Sequence, residues 1–72
     1  MISKKACAEI ATLVNSIVVA YHMRHEASSR ENRELAHAFM CRECEAQVLL
    51  ADKYGIEVPG LQHCREYLSL YS

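Results

Sequence analysis

The sequence predicts an all-α fold, a helical hairpin of two long helices plus a short third helix, completed by dimerisation. Three observations carry this. Only 2 Gly and 1 Pro occur in 72 residues, and none of them falls between Ser3 and Tyr54, so little punctuates a long helical stretch. Apolar residues make up 51% of the chain, much of it Ala, Leu, Val and Ile, and they recur at intervals of three and four rather than in alternation. A chain of this length also buries only about 60% of its unfolded surface, which leaves the monomer marginal and in need of a partner surface. The whole of residues 1–72 reads as one helical domain.

Ser3 is the expected N-cap of the first helix. From there Ile10, Val14, Ile17 and Tyr21 form an apolar stripe, flanked by Cys7, Leu13 and Val18, over about six turns. Thr12, Asn15, His22 and Glu26 occupy the opposite face, the pattern of a core-facing stripe and not of a membrane span.

From Arg24 to Glu34 the chain is polar apart from Ala27. Ser28 with Glu31 three residues on makes a capping box, which predicts a bend near Ala27 to Ser29 and a second helix after it. The run Arg24, Arg30 and Arg33 with His22 and His25 is interleaved with Glu26, Glu31 and Glu34, and reads as a solvated turn. A single long helix is the competing reading, because Leu35, Phe39, Ala46 and Leu50 stay in phase with the first stripe; it would demand an intermolecular partner along its whole length.

Gly55 stands where a left-handed residue ends the second helix, with Ile56 folding back onto Leu50 or Ala51 as in a Schellman ending. Pro59 suits the first turn of a third helix running to about Leu70, with Leu61, Cys64, Leu68 and Tyr71 on one side.

The second helix is apolar on two faces. One carries Leu35, Phe39, Ala46, Leu49 and Leu50; the other carries Met40, Cys41, Cys44, Val48 and Ala51, with Glu43, Glu45, Gln47 and Asp52 on the flanks. A helix apolar on both sides must be covered on both sides, and a short third helix hides only part of one. The expectation is a residual apolar patch covered by a second copy of the chain or by another protein. Met40 and Val48, with Tyr54, Tyr67 and Tyr71 as aromatic anchors, are the predicted contact residues.

Net charge is −1, from 8 Lys and Arg against 9 Asp and Glu, with the signs interspersed. That predicts no nucleic-acid partner and no membrane partner. Lys4 and Lys5 before Ala6 to Tyr21 superficially resemble an export signal, but Glu9, Thr12, Asn15 and Ser16 break the apolar run on one helical face. The 4 cysteines sit in a helix-rich rather than a loop-rich chain, so free thiols in a cytoplasmic setting are expected.

No catalytic constellation stands out: there is no Gly-rich phosphate loop, no nucleophile with its base, and no His-Glu-x-x-His order at His22, His25 and Glu26. The expected function is therefore that of a protein-interaction module, a regulator, adaptor or inhibitor acting by surface occupancy without a cofactor, and not an enzyme. The alternative is a zinc or copper protein. His37, Cys41 and Cys44 lie within about 60° of one another around the second helix, and His63 and Cys64 open the third, a soft ligand set for a tetrahedral metal. Cys41 and Cys44 lie too far inside the helix for a thioredoxin-like pair, whose first thiol sits at a helix N-terminus, and small apolar packing is the simplest role for them.

Overall fold

The computed structural model describes residues 3–71. They form three helices, α1 (Lys4–Ser29), α2 (Arg33–Tyr54) and α3 (Leu61–Tyr71), with no strand among the described residues. Ser3 opens α1 as expected: its backbone is extended and its Oγ accepts the Ala6 N–H at 3.1 Å, satisfying one of the donors a helix start leaves orphaned.

The single long helix is not formed, and the break lies later than the capping box predicts. α1 runs through Ser28 and Ser29. Glu31 takes a left-handed conformation with φ 60, and the N–H groups of Asn32 and Glu31 reach back to the carbonyls of Ala27 at 2.9 Å and Ser28 at 3.0 Å. These two bonds are the Schellman pair. Asn32, not Ser28, caps α2, its Oδ1 accepting the Leu35 N–H at 3.2 Å. The chain reverses within Arg30 to Asn32 because one residue ends a helix and the next starts another.

Gly55 ends α2 in the left-handed region at φ 66, with its N–H on the Ala51 carbonyl at 3.0 Å. This is the simpler αL ending rather than the full Schellman pair, and the Ile56 N–H reaches the Leu50 carbonyl at 3.2 Å. Pro59 stands outside α3 and not in its first turn. Gly60, at φ 75, supplies the carbonyl that receives the Cys64 N–H at 3.1 Å, so Leu61 is the first helical residue.

α1 packs on α2 and α2 on α3, while the backbones of α1 and α3 keep apart among the described residues and only side chains such as Arg24 and Tyr67 line a common groove. The three helices lie side by side with α2 in the middle, within 44 × 21 × 18 Å. Apart from Glu9, the buried and half-buried positions of α1 are Ala6, Ile10, Leu13, Ile17, Ala20, Arg24 and Ala27, a four-three alternation that marks the seam against α2. The expected stripe is thus rotated: Ile10 and Ile17 face inward, but Val14 and Tyr21 remain 47% and 45% exposed. Small side chains replace them, for Ala20 and Ala27 are buried and let the helices approach closely.

Arg24 occupies a seam position and not a solvated turn. Its Nε meets Oε2 of Glu43 at 3.0 Å, and Glu43, expected on a flank, is 7% exposed. At the other end of the seam Lys53 Nζ meets Glu9 Oε1 at 2.7 Å. The core proper is thin: Ala20, Ala27, Cys44, Ala46, Leu50 and Cys64, with Leu50 its one large aliphatic side chain among the described residues.

Candidate interaction surface

The second face of α2 lies under α3. Cys44 is completely buried there, with Met40, Cys41, Val48 and Ala51 half-buried around it. α3 supplies Cys64, whose thiol donates to Gln47 Oε1 at 2.7 Å, and Tyr67, whose hydroxyl bonds His37 Nδ1. Arg65 grips Asp52 through two nitrogens at 2.5 and 3.2 Å. Burial, and then the neighbouring Cys64 sulfur, push the Cys44 thiol from 9.0 up to about 12. Burial followed by the Cys41 sulfur raises the Tyr67 hydroxyl. Cys44 and Tyr67 are therefore held neutral, as inert packing requires.

The residues of the metal alternative are only partly brought together. His37 Nε2 lies 3.7 Å from Cys41 Sγ, while its Nδ1 is taken by Tyr67. Cys64 is committed to Gln47. His63 is exposed and reaches only the Tyr67 ring, at 6.5 Å between centroids. No group of three or more His, Cys, Asp or Glu side chains among the described residues is arranged to hold a metal ion. All 4 cysteines are free thiols, Cys7 exposed and Cys44 and Cys64 buried.

The predicted contact residues divide into separate places. Met40 and Val48 are half-buried beneath α3. Tyr67 and Tyr71 stack at 4.8 Å and close around the His37 ring, with Tyr71 57% exposed at the end of α3 beside Leu70 at 75%. Tyr54 stands apart, next to Glu9 and Lys53 on the α1 side; loss of hydration, then the hydrogen bond to Glu9, raises its hydroxyl.

The exposed apolar surface lies mainly on α1, where the sequence reading did not place it. Cys7, Ala11, Val14, Val18, Tyr21 and His25 are all exposed and repeat the four-three alternation one position on from the buried seam. They make a second, uncovered seam about 100° around the helix from the first. Tyr21 is held upright in it by the His25 ring, 4.4 Å away, and by the Arg24 guanidinium 5.4 Å from its centroid. On the other flank of α1, Val19 at 48% and Met23 at 38% lie along the hairpin groove with Phe39 and the 43% exposed Leu35 of α2. The signal for the outer seam is its heptad-like spacing at 7, 11, 14, 18, 21 and 25.

Total accessible surface is 5345 Å² for a chain of 8.2 kDa. A compact monomer of that mass exposes about 4,500 Å². The excess, roughly 800 Å² of polar and apolar surface together, goes with the flat 44 × 21 × 18 Å stack of three helices. By length and composition α1 is also long and apolar enough to cross a bilayer; Glu9, ion-paired to α2, lies within that stretch. Compared with known protein families, with curated proteins and with solved structures, the chain matches none of them.

Proposed function

We propose that the chain is a small helical protein-interaction module, a regulator, adaptor or inhibitor that acts by occupying surface, and that it works as a homodimer. The observation that carries this reading is the outward placement of Val14, Val18 and Tyr21 on a helix whose inner face is already paired. A thin core points the same way, because association removes apolar area that folding has left in water. The outer seam of α1 serves the second copy. The groove flank with Val19, Met23 and Leu35 remains for a different protein. Near-neutral charge and Glu9, Thr12, Asn15 and Ser16 along α1 support a protein partner in water over a nucleic acid or a bilayer. Free thiols support a reducing, cytoplasmic setting.

Sedimentation velocity and thermal melting across a series from micromolar to millimolar protein test the reading. Binding that favours the folded state raises the melting temperature with concentration, so both the sedimentation coefficient and the midpoint should climb together. A chain that stays monomeric throughout, with one concentration-independent midpoint, overturns it.

A further inference from the structure

Resting on the homodimer reading, we propose that the occupant of the outer α1 seam is a second copy of α1 packed antiparallel, with the two-fold axis passing near Val14. The seam is self-complementary in that sense only. Cys7 and Tyr21 lie seven residues on either side of Val14, so antiparallel pairing sets the small Cys7 of one copy beneath the large Tyr21 of the other. Ala11 and Val18, three and four residues from Val14, come close to each other with a one-residue offset, again small against large. A parallel pair would set Tyr21 on Tyr21 and leave Cys7 and Ala11 facing their own copies across a gap. Large against small fills space at native density, whereas large on large and small on small leave strain and void.

Charge selects the same arrangement. The first turn of α1 contains Lys4 and Lys5 and no acidic residue, and its last turn has no basic one. Within one helix this opposes the macrodipole, which places partial positive charge at the N-terminus. Lys4 continues the outer seam ten residues before Val14, so an antiparallel copy brings the carbonyl end of the partner's α1 toward it. A parallel copy brings lysines to lysines.

Site-directed cross-linking decides the matter. Tyr21→Cys is paired with the native Cys7 under mild oxidation, and the disulfides are mapped by peptide mass spectrometry. Cys7 and position 21 are about 21 Å apart along one helix, far beyond the roughly 4.4–6.8 Å between Cα atoms that a disulfide tolerates, so a 7–21 bond must join two chains. The expected result is a covalent dimer holding that bond, together with a bond between the two copies of position 14 in a Val14→Cys, Cys7→Ser protein. A Cys7–Cys7 dimer from the unsubstituted chain shows a parallel pair and overturns the arrangement while leaving the homodimer standing. A dimer in sedimentation that yields neither bond moves the interface off this seam. A monomer at every concentration removes the underlying reading as well. Loss of the protein onto vesicles of phosphatidylcholine and phosphatidylglycerol, without cross-links, makes the occupant a bilayer and also overturns the proposal.

Discussion

Arg24 Nε and Glu43 Oε2 meet at 3.0 Å inside the α1–α2 seam, and that one ion pair fixes which turn of α1 faces which turn of α2. A slip of one turn moves the partners about 5.4 Å apart and strands a carboxylate that is 7% exposed. The neighbouring seam positions are small or aliphatic and would tolerate such a slip, so the charged pair supplies register where packing alone does not.

Arg24→Met should therefore destabilise the fold by about 2 kcal/mol, less than a fully buried pair because the arginine is partly solvated. Arg24→Met with Glu43→Leu should recover most of that loss, since no uncompensated charge remains. Urea unfolding of the two variants checks this; a double variant no more stable than the single one contradicts the assigned role.

Leu50→Ala should cost about 3 kcal/mol, a large part of what so small a domain possesses. Leu70→Ala, at a position 75% exposed, should stay within about 0.5 kcal/mol. Circular dichroism melts of the pair compare the thin core with the exposed end of α3, and equal midpoints would show that the core has been misplaced.

The two left-handed helix ends predict opposite signs. Glu31 adopts φ 60 without the freedom of glycine, so Glu31→Gly should stabilise by about 0.5–1 kcal/mol. Gly55 at φ 66 has nothing within 4 Å of an added Cβ, so Gly55→Ala should destabilise by about 1 kcal/mol through backbone strain alone. Each should shift the melting midpoint by roughly 4–8 °C per kcal/mol; a Glu31→Gly midpoint below that of the parent chain counts against the turn described above.

Acid should weaken the fold from about pH 4.5 downward. The Lys53 ammonium holds the Glu9 carboxyl below its ordinary 4.5, and the Arg65 guanidinium holds Asp52 below 3.8. A depressed folded value gives stability that is present above the unfolded value and lost as pH falls through the folded one. Glu9→Gln with Asp52→Asn should flatten this acid limb, and salt should shrink it in the parent because both pairs face water. Stability curves from pH 2 to 7 that superimpose for parent and variant would dismiss the assignment.

Thiol reactivity should separate the cysteines widely. Exposed Cys7 should alkylate first, while Cys44, buried and pushed up to about 12, should react far more slowly, at the rate at which α3 lifts from α2. Timed labelling read by mass spectrometry resolves the order. The raised Cys44 value also implies that this thiol's own contribution to stability is fully present below about pH 9 and falls above it, where the unfolded thiol ionises and the folded one does not.

Helix content, the Ser3 cap and the role of Gly55 were legible in the sequence because each depends on a few adjacent residues. The facing of α1 was not. Ile10 and Ile17 belong equally to a stripe with Val14 and Tyr21 or to one with Leu13 and Ala20, and periodicity gives both the same score. What decides is a long-range partner: Glu43 needs Arg24, and an arginine in a polar stretch gives no local sign of facing inward. The Ser28–Glu31 box misled for a similar reason, since Asn32 offers a rival cap four residues later and Glu31 accepts the left-handed turn between them. Of the site, the apolar second face of α2 was visible. That α3 would cover its cysteines, and that the open surface would lie on α1, depended on the order in which three helices stack.

That order has a consequence for how the molecule breathes. Since the α3 backbone packs on α2 alone, its release leaves the α1–α2 hairpin and its ion pairs intact, so amide exchange in α3 should proceed through a partial opening well below the cost of global unfolding. Each such opening bares the sulfurs of Cys44 and Cys64. The shortest helix is thus a shutter over the only buried thiols among the described residues, and the rate at which it lifts sets how fast anything in solution can find them.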